Sequence, residues 1–375
     1  MPTQSSDIYV PGGPAIEFSN PGQKWKIDKG VDVGSSGPAV LSLHMNNTLV
    51  NKGSIYSFNA YGAQFYKDNA KLVNKETGDI KGETFGVLFT PDDVTDTKGA
   101  AINDGEIFGG VGGIYNTAMG DFEVDNQGEI YGFTYGIFSQ GALPGSTSGP
   151  IIKNGGSIKS DIYGVWVGAP DPSLRSKIVN QKDGVIKGGK IDEGGAAVFN
   201  TGKMTLVNKG MIKGDVNSPT VDKATITNTG KIKGDVYLGQ GDDTLDNTDG
   251  EVTKKIFGFD GNDKLTAGDA KDKFVFMGPI NGTSNIDRVK NFESGKDKFF
   301  LAEGAFGDLT AGPLAKSAFR KGTEAEDADD RIIYDQDSGK LYLDDGVGGS
   351  APIQFAKVDP GQKLKYSDFT VELFV

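Results

Sequence analysis

An all-β fold, a parallel β-helix or solenoid, is what this 375-residue sequence predicts. Three observations lead there. A short motif recurs: Asn, one to three residues, Gly, any residue, Ile. Its glycine falls at 53, 78, 105, 128, 156, 184, 210 and 230, in steps of 20 to 28 residues. A period of that size marks a solenoid, in which each repeat buries its apolar face only by stacking on the next. The chain also carries 56 glycines beside 22 phenylalanines, a composition of repeated turns between short strands, not of disorder. Finally, short β-branched runs alternate in character and no helical period is sustained, which excludes helical and leucine-rich solenoids.

Taken in order, residues 1–40 read as an N-terminal cap. They are polar and interrupted by Pro2, Pro11, Pro14, Pro21 and Pro38, with Ile27, Val31 and Val33 making one or two edge strands. A cap is needed because an open solenoid end exposes unpaired backbone, and Trp25 is placed to cover the first coil's core. Residues 41–238 are the coils, with two or three strands each. Ile55, Ile80, Ile107, Ile130, Ile158, Ile186, Ile212 and Ile232 are expected to form one interior column. Strands about 4.8 Å apart would make eight such coils a rod of roughly 40 Å. A second half-motif, as in Tyr135-Gly136-Ile137-Phe138 and Tyr163-Gly164-Val165-Trp166-Val167, supplies a further strand. The asparagine that opens each motif reads as a turn residue; an inward hydrogen-bonded ladder is the alternative. The Asn-x-Gly-x-Ile-x-Gly run resembles the coils of autotransporter-type passenger β-helices, which implies a right-handed parallel β-helix.

The stretch 239–278 changes repeat type without a linker. Gly239-Gln240-Gly241-Asp242-Asp243-Thr244-Leu245 and Gly258-Phe259-Asp260-Gly261-Asn262-Asp263-Lys264-Leu265 fit the nonapeptide G-G-x-G-x-D-x-U-x, U being a large apolar residue. Residues 267–274, with Asp272, are a decayed third copy, and Leu238 and Phe259 stand where the pattern has glycine. This repeat is a Ca²⁺-binding one. Glycines let the backbone turn sharply and present carbonyl oxygens, aspartate adds a hard anionic oxygen, and Ca²⁺ takes six to eight oxygens at about 2.3–2.6 Å. The candidate metal-binding residues are Gly239, Gly241, Asp243, Gly258, Asp260, Gly261, Asp263 and Asp272. The block resembles the repeats-in-toxin (RTX, haemolysin-type) family. That resemblance implies a β-roll in which loops one full turn apart share each ion, and hence Asp243 and Asp263, 20 residues apart, as one shared clamp.

Residues 279–375 read as a β-rich C-terminal cap. The run 286–299 resembles the strand pair that follows RTX repeats in serralysin-type C-terminal domains. The run 329–344 is similar to the hairpin near the end of that domain, and 367–371 to its closing segment. The resemblance implies type I secretion from a Gram-negative cell on an uncleaved C-terminal signal, to the medium or the cell surface. The start MPTQSSDIYV, without basic or long apolar stretch, does not read as a cleavable secretion signal, and the absence of cysteine fits the same route. Folding would follow export, because metal binding energy becomes folding energy where the apo chain cannot collapse.

The formal charge of −12 argues against nucleic acid and anionic membranes as partners. No apolar run reaches the roughly 18–20 residues of a membrane span. Enzyme chemistry has little to work with. His44 is the one histidine, so H-E-x-x-H is impossible; G-x-S-x-G is absent; and Arg175 is the only arginine before the calcium block. The expectation is therefore a secreted, calcium-binding, non-catalytic structural or adhesive component. Its partners would be further copies of itself or a surface glycan, read by the insertions 91–100, 141–150 and 169–176. A β-helix lyase or epimerase acting on polysaccharide is the alternative, and a secreted toxin or bacteriocin the third reading.

Overall fold

The computed structural model describes residues 1–90, 98–117, 121–140, 146–168, 171, 173–307, 309–346 and 350–374. It is all-β, 3% helical and 49% strand, and forms a parallel β-solenoid of about 12 turns. Two compact units, Met1–Val216 and Asn217–Val375, divide the chain. Parts of the insertions 91–100, 141–150 and 169–176 lie outside the described residues.

Each coil of the first unit has three strands, as in Ala70–Asn74, Asp79–Gly82 and Phe85–Phe89, matched one coil on by Lys98–Asn103, Glu106–Gly109 and Gly112–Asn116. Pairing is parallel, with Leu72 beside Ala101, Ile80 beside Ile107 and Val87 beside Ile114. Period-2 alternation explains the register, since a slip of one residue would send every apolar side chain outward. The isoleucines from Ile55 to Ile212 stack in register and are all buried, each contributing about 1.5–3 kcal/mol. Space at the corners between strands is tight. A Cβ at Gly113 would lie 2.5 Å from Ile130 Cγ2.

Two expectations are corrected here. Residues 1–40 are not a separate cap. Their strands Thr3–Gln4, Ile8–Val10 and Ile16–Phe18 pair in parallel with Lys24–Ile27, Asp32–Ser35 and Val40–Ser42, so full coils begin at residue 3. Trp25, half-buried, lies within the second coil paired with Leu49 and does not cap the stack. The asparagines, in turn, form a ladder. Asn51, Asn74, Asn103, Asn126, Asn154 and Asn180 each close a strand, fully buried. Each donates its Nδ2 to the next asparagine's Oδ1 at 2.8–2.9 Å, the last to Asn208. Their Nδ2 groups also reach backbone carbonyls, as from Asn74 to Gly78 O at 3.1 Å.

The second unit keeps the parallel pattern with shorter strands. Ile226, Leu245, Leu265 and Val289 lie in register in one ladder, and Ile256, Phe274, Phe299 and Phe369 in another. Coils thus run past residue 278. The strands Asp287–Lys290 and Lys298–Ala302, expected as a pair, belong to different ladders and form one further coil. An antiparallel hairpin, Ile332–Asp335 with Lys340–Leu343, sits where one was expected. The C-terminal strand Phe369–Glu372 pairs with Lys298–Ala302, and its Glu372 takes Lys255 Nζ at 2.6 Å.

Candidate cation site on a ladder of buried aspartates

The second unit is built on a pattern that repeats Asp, any residue, large apolar residue. Asp243-Thr244-Leu245, Asp263-Lys264-Leu265 and Asp287-Arg288-Val289 stack in one ladder. Alternation along the strand turns the aspartate inward with the apolar residue two positions on. Asp243 and Asp263 are each 1% exposed and Asp287 3%. Each carboxylate caps a backbone N–H one coil earlier. Asp243 Oδ1 accepts from Ala224 N at 2.7 Å, Asp263 Oδ1 from Asp243 N at 2.8 Å, and Asp287 Oδ1 from Asp263 N at 3.1 Å. One oxygen per carboxylate is thereby used. The other, Oδ2, is buried without a hydrogen-bond partner in both Asp243 and Asp263.

Three carboxylates stacked out of water disfavour their own charge. Burial pushes Asp243 up to about 7, against the help of the Ala224 N–H. Asp263 is pushed well above the usual carboxylate range by burial and then by the charge of Asp287 beside it. Asp287 is raised by burial as well. A buried, unpaired anionic oxygen is unstable as it stands; a proton or a cation removes the penalty.

The glycines carry the backbone through this ladder. Gly239 and Gly261 have φ of 111° and 112°, a region that side chains rarely tolerate. Phe259 adopts φ 66° in register with Gly239, so the glycine-like conformation persists where the residue departs from the pattern. A Cβ at Gly261 would lie 2.2 Å from Gly241 O, and one at Gly258 only 2.5 Å from Asp263 Oδ2.

Of the residues singled out from the sequence, Asp243, Asp263 and Gly258 meet on the ladder, whereas Gly261 lies against Gly241 O and Gly239 against Ser218 O. Asp260 does not share it: half-buried, it lies against Gly278, whose Cβ would stand 2.6 Å from Asp260 Oδ1. Asp272 stands on a different ladder. Its Oδ1 accepts Asn247 Nδ2 at 2.9 Å and its Oδ2 accepts Gly268 N at 2.7 Å, and Asn247 in turn accepts from Asn228. Asp272 is raised to about 6, mainly by burial. Asp297, one coil further, accepts Asp272 N at 3.0 Å and Glu293 N at 2.8 Å. Asp287 and Asp297 lie outside any glycine-rich repeat; the Asp-x-apolar spacing is the signal that marks them.

Asp121 accepts two backbone and two hydroxyl groups from Thr147 and Ser148, which anchors a loop. His44 is half-buried in the bend after Val40–Ser42. In the acidic run 324–330, Asp330 accepts the N–H groups of Glu326 and Asp327. Among the described residues no group of three or more His, Cys, Asp or Glu side chains is placed to hold a metal, and no helix is long and apolar enough to cross a membrane. No protein-family model matches the chain, and no curated protein matches it.

Proposed function

We propose that this chain is a calcium-binding β-solenoid whose second unit completes its folding on the metal, and that it serves outside a Gram-negative cell as a non-catalytic structural or adhesive scaffold. The observation that carries the reading is the pair of buried, unpartnered oxygens, Asp243 Oδ2 and Asp263 Oδ2. The donor set fits Ca²⁺: hard carboxylate oxygens, with Gly241 O pressed against Gly261 where no side chain can intrude. With so few carboxylates, backbone carbonyls and water must supply the remaining oxygens, as they commonly do for this ion. Ca²⁺, when bound, supplies positive charge in the place of protons. Asp243 and Asp263 then stay ionised while their Oδ1 atoms hold successive coils together.

The resemblance of 239–278 to RTX repeats supports export before folding, since Ca²⁺ is scarce in the cytosol and plentiful outside. The long stacked-coil surface supports a scaffold role, with other copies of the chain or a glycan as partners. The test is a Ca²⁺ titration followed by circular dichroism and by protease resistance of the second unit. Gain of β-signal and protection with Ca²⁺, reversed by chelator, is the expected result. A second unit that is equally folded and protected in chelator at pH 8 overturns the reading.

A further inference from the structure

We infer that the cation is clamped between Asp263 and Asp287, so that Asp287, from a segment carrying no glycine-rich repeat, is a metal ligand. This rests on the reading that the chain binds Ca²⁺, and moves the clamp one coil beyond the Asp243–Asp263 pair that the repeat spacing indicates.

Asp287 continues the ladder in register. Val289 pairs with Leu265 as Leu265 pairs with Leu245, and Asp287 Oδ1 takes Asp263 N as Asp263 Oδ1 takes Asp243 N. The two intervals differ in what lies beside them. Beside Asp263 and Asp287 stands Gly258, and the space its missing side chain leaves is bordered by carboxylate oxygens. A Cβ there would sit 2.5 Å from Asp263 Oδ2 and 3.0 Å from Asp287 Oδ2. One coil earlier the matching position is Leu238, since Tyr237 pairs with Phe257 and Gly239 with Phe259. Leu238 is fully buried, so an apolar side chain fills the place that Gly258 leaves open. Asp263 Oδ2, buried and without a partner, lies in that place against Gly258. Two anionic oxygens that converge beside a glycine offer a cation hard ligands.

The experiment uses the full chain, with Ca²⁺ measured by calorimetry and Tb³⁺ by sensitised luminescence. Asp287→Asn keeps an oxygen to accept the Asp263 N–H and removes one charge. It is expected to weaken Ca²⁺ by roughly tenfold or more and to lower the Tb³⁺ signal. Its stability in chelator should equal or exceed that of the parent, because a buried like charge is gone; a purely structural role would lower stability with and without metal. Asp297→Asn, a buried ladder aspartate with both oxygens already hydrogen-bonded, should leave the affinity unchanged. Gly258→Ala is the second variant. It presses a methyl group on Asp263 Oδ2 and Asp287 Oδ2, keeps every carboxylate and should also lose affinity, which carries the test if Asp287→Asn does not fold. Parent-like Ca²⁺ affinity in Asp287→Asn or in Gly258→Ala overturns the Asp287 clamp and leaves calcium binding standing. A parent chain that binds neither ion overturns both.

Discussion

Both units stack polar residues inside successive coils, but the first relies on amides and the second adds acids. In the first unit the residue is asparagine. An amide has a donor and an acceptor, so Asn74 takes a hydrogen bond from Asn51 and gives one to Asn103, and the column is satisfied from within. The second unit adds a separate column of aspartates, Asp243, Asp263 and Asp287. A carboxylate only accepts, so each one takes a backbone N–H on one oxygen, and Asp243 and Asp263 leave the other unpaired. Asn228, Asn247 and Asp272 show the transition on one ladder, two amides running into an acid. The amide ladder needs nothing from outside. The acid ladder needs a proton or a cation, which makes one unit unconditional and the other conditional on the medium.

The comparison breaks most sharply if an acid is placed in the amide ladder. Asn126 Nδ2 donates to Asn154 Oδ1, Gly128 O and Ser157 O. In Asn126→Asp an oxygen would face those three acceptors. The expected loss is about 3–5 kcal/mol, the scale of an uncompensated buried charge, read from urea unfolding of the first unit. A loss below about 1 kcal/mol would mean the ladder is a passenger of the isoleucine column.

Next comes pH in the presence of chelator. Asp243 is raised to about 7 and Asp272 to about 6, with Asp263 and Asp287 raised too. A carboxylate with a raised folded-state pKa holds its proton in the folded chain and loses it in the unfolded one. Its stabilisation is complete below about pH 4 and is lost as pH rises through the folded value. The metal-free second unit should therefore weaken by on the order of 3 kcal/mol between pH 4 and pH 8. Hydrogen exchange should place the change in 217–375 and not in 1–216.

Metal is the counterpart. At a free Ca²⁺ concentration a hundred times the Kd, the second unit should gain about 2.7 kcal/mol by mass action. Because protons compete for the same oxygens, Kd should fall from pH 5 to pH 8, and the gain at a fixed free Ca²⁺ concentration should grow. Calorimetric Kd values at the two pH values check this, and a flat profile would place the ion away from the aspartate ladder.

Much of this was legible in the residues, for physical reasons that differ by element. The isoleucine column shows because an apolar residue at fixed spacing has no use except burial. The asparagine ladder was misread because Asn is equally at home in turns, and the motif Asn-x-Gly looks the same in both roles. The first coils were hidden by prolines: Pro11, Pro14 and Pro38 lie between strands, not within them. Asp263 was found through its glycines. Asp287 was not, because Asn285-Ile286-Asp287 has no glycine to announce a turn, and only the register against Asp263 reveals it.

The smallest expected effect tests how far position alone decides. Asp242 and Asp243 are neighbours in sequence and opposite in fate. Asp242 is exposed and accepts Asn262 N at 2.8 Å from the outside of the coil, whereas Asp243 points inward at 1% exposure. Alternation along the strand is all that separates them. Asp242→Asn keeps the acceptor for Asn262 N–H and removes a solvated charge, so unfolding in chelator should change by no more than about 0.5 kcal/mol, in the stabilising direction, because Asp242 adds repulsion to Asp243 and Asp263. Asp243→Asn removes a buried charge and should stabilise the metal-free unit by clearly more. Equal shifts in the two variants would show that the inward column is hydrated, and the contrast between amide and acid ladders would then lose its physical basis.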